Sequence, residues 1–132
     1  MDYRRASELF GAGRREEASY WFYRGQFRYR VHLEARPSLD PSGDPALFAS
    51  LNETLGRPIN EWAFGDLPAL AATLDRVLEW QAANDDAFTP KAEFVAAHEE
   101  VRAGLEALKA HVLAERDAIQ AQRKANGLPN RR

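Results

Sequence analysis

Residues 18–33 read ASYWFYRGQFRYRVHL and hold six of the chain's aromatic side chains. At about 100° per residue, Tyr20, Tyr23, Phe27 and Val31 fall on one side of a helix, and Ala18, Phe22, Tyr29 and Leu33 on the opposite side. Two apolar faces need two packing partners, so this helix is expected to be the middle layer of the fold. Arg24 and Arg28 run along one flank, Gln26 and Arg30 along the other; their stems can lie on apolar surface while the polar heads reach water. Gly25 adjoins the second face. A glycine inside a helix costs roughly 1 kcal/mol against alanine, and its expected use here is to admit a neighbouring helix. Arginines interleaved with aromatics also compose stacking platforms for single-stranded nucleic acid. Such a platform sets its rings on one face, whereas these divide between two, which favours a core helix with arginine flanks.

Working outward toward the N-terminus, Tyr3, Ala6, Leu9 and Phe10 mark a short helix with Asp2 as its N-cap, and GlyAlaGly at 11–13 stops it. A second helix restarts at Arg14 with Glu16 and Glu17 in its first turn, where negative charge complements the dipole. Leu9, Gly13, Ala18, Phe22 and Gly25 then stand at spacings that resemble the tetratricopeptide or Sel1-like helical hairpin over residues 3–35. The tryptophan and Leu-Gly pair of that pattern's first helix are missing, and no second copy follows. The resemblance implies a local packing mode and a protein-binding habit.

Toward the C-terminus, residues 36–45 read as a loop, and Asp44 with Pro45 as a cap and first turn. A helix over 46–55 is expected to bury Leu47, Phe48, Leu51 and Leu55 and to end at Gly56. Residues 57–66, RPINEWAFGD, read as a connection that combines the apolar anchors Trp62 and Phe64 with Arg57, Asn60 and Glu61. Such a loop either lines a site or plugs onto the core; Arg57, Asn60, Glu61, Trp62 and Asp66 are the candidate partner-binding residues. Asp66 caps a helix carrying Leu70, Leu74, Val77 and Leu78, and Thr89 with Pro90 starts another. Phe94, Val101, Leu105, Leu108, Val112 and Ile119 repeat along a helix expected from Lys91 to about Ala125. At roughly 1.5 Å per residue that helix reaches about 50 Å, so its end past Arg116 is expected to project or to pack on a partner, including a second copy of this chain.

Length and composition fit a single all-α domain, 1–132, a bundle of about five helices. The N-terminus lacks the apolar core of a signal peptide, which assigns the chain to the cytoplasm, or to the periplasm if a signal has been removed. No apolar run approaches a membrane span. The net charge of −2 is unevenly spread: residues 1–36 carry +3, 37–100 carry −9 and 101–132 carry +4. An acidic middle of that size suits a basic protein partner and repels nucleic acid.

Chemistry-bearing patterns are few. The chain has no cysteine, which removes thiol nucleophiles and Cys-zinc sites. His98 begins HisGluGluValArg, but the zinc-protease helix needs a second histidine where Arg102 stands; His98 lies on an apolar stripe, as a buried or interface histidine does. Glu16 with Glu17, Asp85 with Asp86 and Glu99 with Glu100 are sequence neighbours; on a helix such neighbours diverge by about 100° and do not share a proton. No catalytic residue, metal or cofactor is assigned. The expected function is therefore a non-catalytic protein-binding module, such as an adaptor or a stoichiometric inhibitor of the immunity-protein type. Behind it stand a small-ligand binder or enzyme using the Arg57–Trp62 segment, and nucleic-acid binding through the arginine-aromatic helix.

Overall fold

A computed structural model describes residues 2–132 of the chain. The regular structure among them is helical throughout: α1 (Asp2–Gly11), α2 (Arg15–Ala35), α3 (Asp44–Leu51), α4 (Arg57–Ala63), α5 (Leu67–Ala83), α6 (Val95–Ala114) and α7 (Arg116–Ala125). This is the all-α bundle that the periodicity predicts. A π-helical turn, Asn52–Gly56, links α3 to α4, and Glu115 separates α6 from α7. Six of the seven segments fall on the five expected helices, the last of which breaks at Glu115, and α4 is an addition to them. No helix among the described residues is long and apolar enough to cross a membrane.

The middle-layer role of α2 follows from its two apolar faces. It touches α1, α3, α4, α5 and α6; Tyr23, Phe27 and Val31 are buried on one face, Ala18 and Phe22 on the other. Gly25 has the expected use, since a Cβ there would stand 2.8 Å from the Cβ of Asp2 and 3.2 Å from the Tyr3 ring. Through that approach Tyr3 stacks between Phe22 and Tyr29, with centroids 5.5 and 6.1 Å away. Asp2 serves α1 as an ion-pair partner of Arg24 at 3.2 Å. The arginine flank closes on indoles: the Arg24 guanidinium lies 4.2 Å from the Trp21 ring and 3.6 Å from Trp80, and Arg28 lies 4.3 Å from Trp80.

Several expected boundaries are corrected. Asp44 is the first residue of α3 and makes no cap hydrogen bond; its carboxylate accepts instead from His32 Nε2 at 2.8 Å. No residue of α3 is buried, and Leu47 is 52% exposed, because the 36–45 loop sets this helix at the edge of the bundle. Gly56 does not end a helix. The chain runs on through the π turn, so 57–63 is helical rather than a connection. Pro58 has no N–H to offer an α ladder, and a shift of register at that point accommodates it. Gly56 serves close approach, a Cβ there lying 2.8 Å from Phe22 Cζ. Thr89 and Pro90 do not start α6, which begins at Val95. Thr89 is fully buried, its hydroxyl accepting from Arg36 and its carbonyl from His98.

The largest correction concerns the C-terminal helix. Past Glu115 it does not project. Arg123 is buried and donates to the carbonyl oxygens of Glu61 and Pro129, both at 2.8 Å. Burial, with Arg131 nearby, lowers its pKa from the usual arginine value. The Arg131 guanidinium covers the Trp62 ring at 3.8 Å, and its backbone N–H donates to Gly65 O at 2.6 Å. α7 and the residues after it are therefore docked on α4 of the same chain.

Candidate functional site

A concavity of about 590 Å³ lies between α2, α3 and α6. Its α2 wall is the stripe Tyr23, Gln26, Phe27, Arg30, Leu33 and Glu34, spaced at three and four so that one side of the helix faces it. Glu100, Val101, Gly104, Leu105 and Leu108 form the α6 wall with the same spacing, and Phe48 of α3 closes the third side. Aromatic and aliphatic carbon makes the floor. Arg30, Glu34 and Glu100 are exposed at its edge, with the Arg30 guanidinium 5.3 Å from the Phe48 ring. Tyr23, at the bottom, donates its hydroxyl proton to Asn60 Oδ1, and burial raises its pKa above the usual phenol value.

Gly104 is distinctive within this wall. A Cβ at Gly25 or Gly56 would meet an atom at 2.8 Å, whereas one at Gly104 would meet nothing within 4 Å. Bare α6 backbone thus faces the open groove.

The five sequence-predicted residues do not converge on one cleft. Arg57 is exposed between Glu53 (3.0 Å) and Glu61 (3.3 Å), which raise its pKa. Asn60 turns inward to Tyr23, and Trp62 is covered on one ring face by Arg131. Asp66 caps α5 as expected, Oδ1 accepting from Ala69 N at 3.1 Å. Arg57 and Glu61 therefore share an exposed face of α4, while Asn60 and Asp66 serve the fold. Sequence reasoning missed the groove because its walls come from three helices. An unexplained glycine in the middle of α6 was its one local signal.

Two of the three histidines, His32 and His98, are held structurally. Arg36 Nη1 donates to His32 Nδ1 at 2.8 Å, so Nε2 carries the His32 proton and gives it to Asp44. That pair has the look of a catalytic dyad, but the lone pair a general base needs is already taken by Arg36. His98 is buried and donates from Nε2 to Thr89 O at 2.7 Å, which answers the choice between a buried and an interface histidine. Among the described residues no group of three or more His, Asp or Glu side chains is arranged to hold a metal ion.

Comparison with protein families, curated proteins and solved structures finds no match for this chain.

Proposed function

We propose that the chain is a non-catalytic protein-binding module, acting as an adaptor or stoichiometric inhibitor, and that it receives a segment of its partner in the groove between α2, α3 and α6. The observation that supports this reading is Gly104. Glycine in a helix interior costs roughly 1 kcal/mol relative to alanine, and the chain's own atoms make no use of the space it leaves. An occupant lying against the α6 backbone makes use of it, as a docked helix or loop does in a hydrophobic groove. Glu34 and Glu100 at the edge, together with the −9 charge of residues 37–100, suit a partner segment that is basic beside its apolar anchor.

Gly104→Leu fills the groove without touching the interior, and Arg57→Glu reverses the exposed charge on α4. Capture from lysate of the native source with wild type and both variants tests the proposal. A stoichiometric partner lost on Gly104→Leu and kept on Arg57→Glu supports it. The opposite pattern moves the contact to α4 and rejects the groove, and the absence of any stoichiometric partner ends the binding-module reading.

A further inference from the structure

A second cavity, about 270 Å³, lies between α5 and α6 on the other side of Phe27, which lines both cavities. Phe27, Leu78, Ala82 and Val95 give it apolar walls. Gln81 also lines it; the residue is 5% exposed, and neither its side-chain nitrogen nor its oxygen has a hydrogen-bond partner. An enclosed carboxamide left unpaired is costly to the folded state. Beside it stands Lys91, whose ammonium donates to the Gln81 backbone carbonyl. Among the described residues no carboxylate lies within ion-pair reach of that ammonium. Glu99 and Arg102 line the cavity with opposite charges, and the Nε2 proton of His98 is committed to Thr89.

We propose that this cavity is a binding site for a small apolar monocarboxylate, its carbon body against Phe27, Leu78, Ala82 and Val95 and its carboxylate taken by the Lys91 ammonium. The Lys91 ammonium has protons beyond the one it gives to the Gln81 carbonyl, and a carboxylate is the charge-matched acceptor for them. Its volume of about 270 Å³, open to water past Ala82 and Val95, leaves room for a ring with a short acid chain. The site is independent of partner docking and is tested on the purified chain alone.

3-Phenylpropionate is the probe and 3-phenylpropanol, of the same shape without the charge, its control. Titration followed by amide and side-chain NMR is expected to shift the Gln81, Lys91 and Val95 signals with the acid, and the alcohol is expected to bind about tenfold more weakly. Lys91→Met should reduce acid affinity by about the same factor and leave the alcohol unchanged. Val95 is 53% exposed, so Val95→Trp obstructs the cavity without disturbing the core and is expected to abolish both interactions. Equal binding of acid and alcohol, retention of acid binding by Lys91→Met, or no response to millimolar acid would overturn the proposal.

Discussion

The same substitution, glycine to alanine, is expected to act with opposite sign at Gly104 and Gly56. At Gly104 the new methyl group meets nothing within 4 Å, so only helix propensity changes, and the folded state gains about 1 kcal/mol. With about 2.1 cal/mol/K of unfolding entropy per residue, that gain raises the melting temperature by about 3–4 °C for a chain of this length. At Gly56 the methyl would lie 2.8 Å from Cζ and 3.2 Å from Cε1 of Phe22, a ring with no exposed surface. Phe22 cannot yield without moving Tyr3 and Tyr23, with which its ring packs. Overpacking of this kind costs about 1–3 kcal/mol, which cancels or exceeds the propensity gain. The two variants should therefore separate by about 1–3 kcal/mol when unfolded in urea under identical conditions. Equal stabilities would refute the inference that the space around each glycine decides the sign. Destabilisation by Gly104→Ala that deepens with protein concentration would show the groove already filled by a second copy.

Gln81→Leu should stabilise the unliganded chain by about 1–2 kcal/mol, because it removes two enclosed, unpaired polar atoms; a loss in denaturant titration would mean that the amide has a partner. Asp66→Ala, which removes the hydrogen bond to Ala69 N, should cost about 1 kcal/mol, read as a lower urea midpoint at unchanged slope. Burial raises the Tyr23 phenol pKa, so its contribution is fully present below the unfolded value of about 10 and is lost as pH rises above it. Wild type should lose stability more steeply above about pH 10 than Tyr23→Phe; identical slopes in denaturant midpoints against pH would reject this assignment.

What was legible in the sequence follows from how local each signal is. The two faces of α2 could be read because eight apolar residues repeat within sixteen positions, and Asp66 with Pro68 because a cap and its proline lie within one turn. Residues 57–63 read wrongly because Gly56 and Pro58 are both local stop signals, and Gly56 is there for the Phe22 ring, 34 positions away in sequence. The end of the long helix read wrongly for a similar reason. Its periodic apolar positions are local, while the acceptors that hold Arg123, the carbonyls of Glu61 and Pro129, are spread along the chain. Nothing about Gln81 as a residue type announces that its amide will be enclosed without a partner.

The failure at α3 has a different character and bears on function. Leu47, Phe48, Leu51 and Leu55 do share a helical face, yet none is buried, and Leu47 is half in water. Periodicity reports that a face is apolar; it does not say which surface covers it. α3 is tied down by polar contacts, Asp44 to His32, the Asp44 carbonyl to Tyr29, and, just beyond it, Asn52 to Gln26. Its apolar contact with α2 is largely the Phe48 ring against Tyr29, 4.9 Å between centroids. Phe48 also lines the groove that Gly104 faces. The incompletely covered Phe48 ring of α3 and the bare backbone of α6 thus border one concavity, the one in which the proposed partner segment would lie.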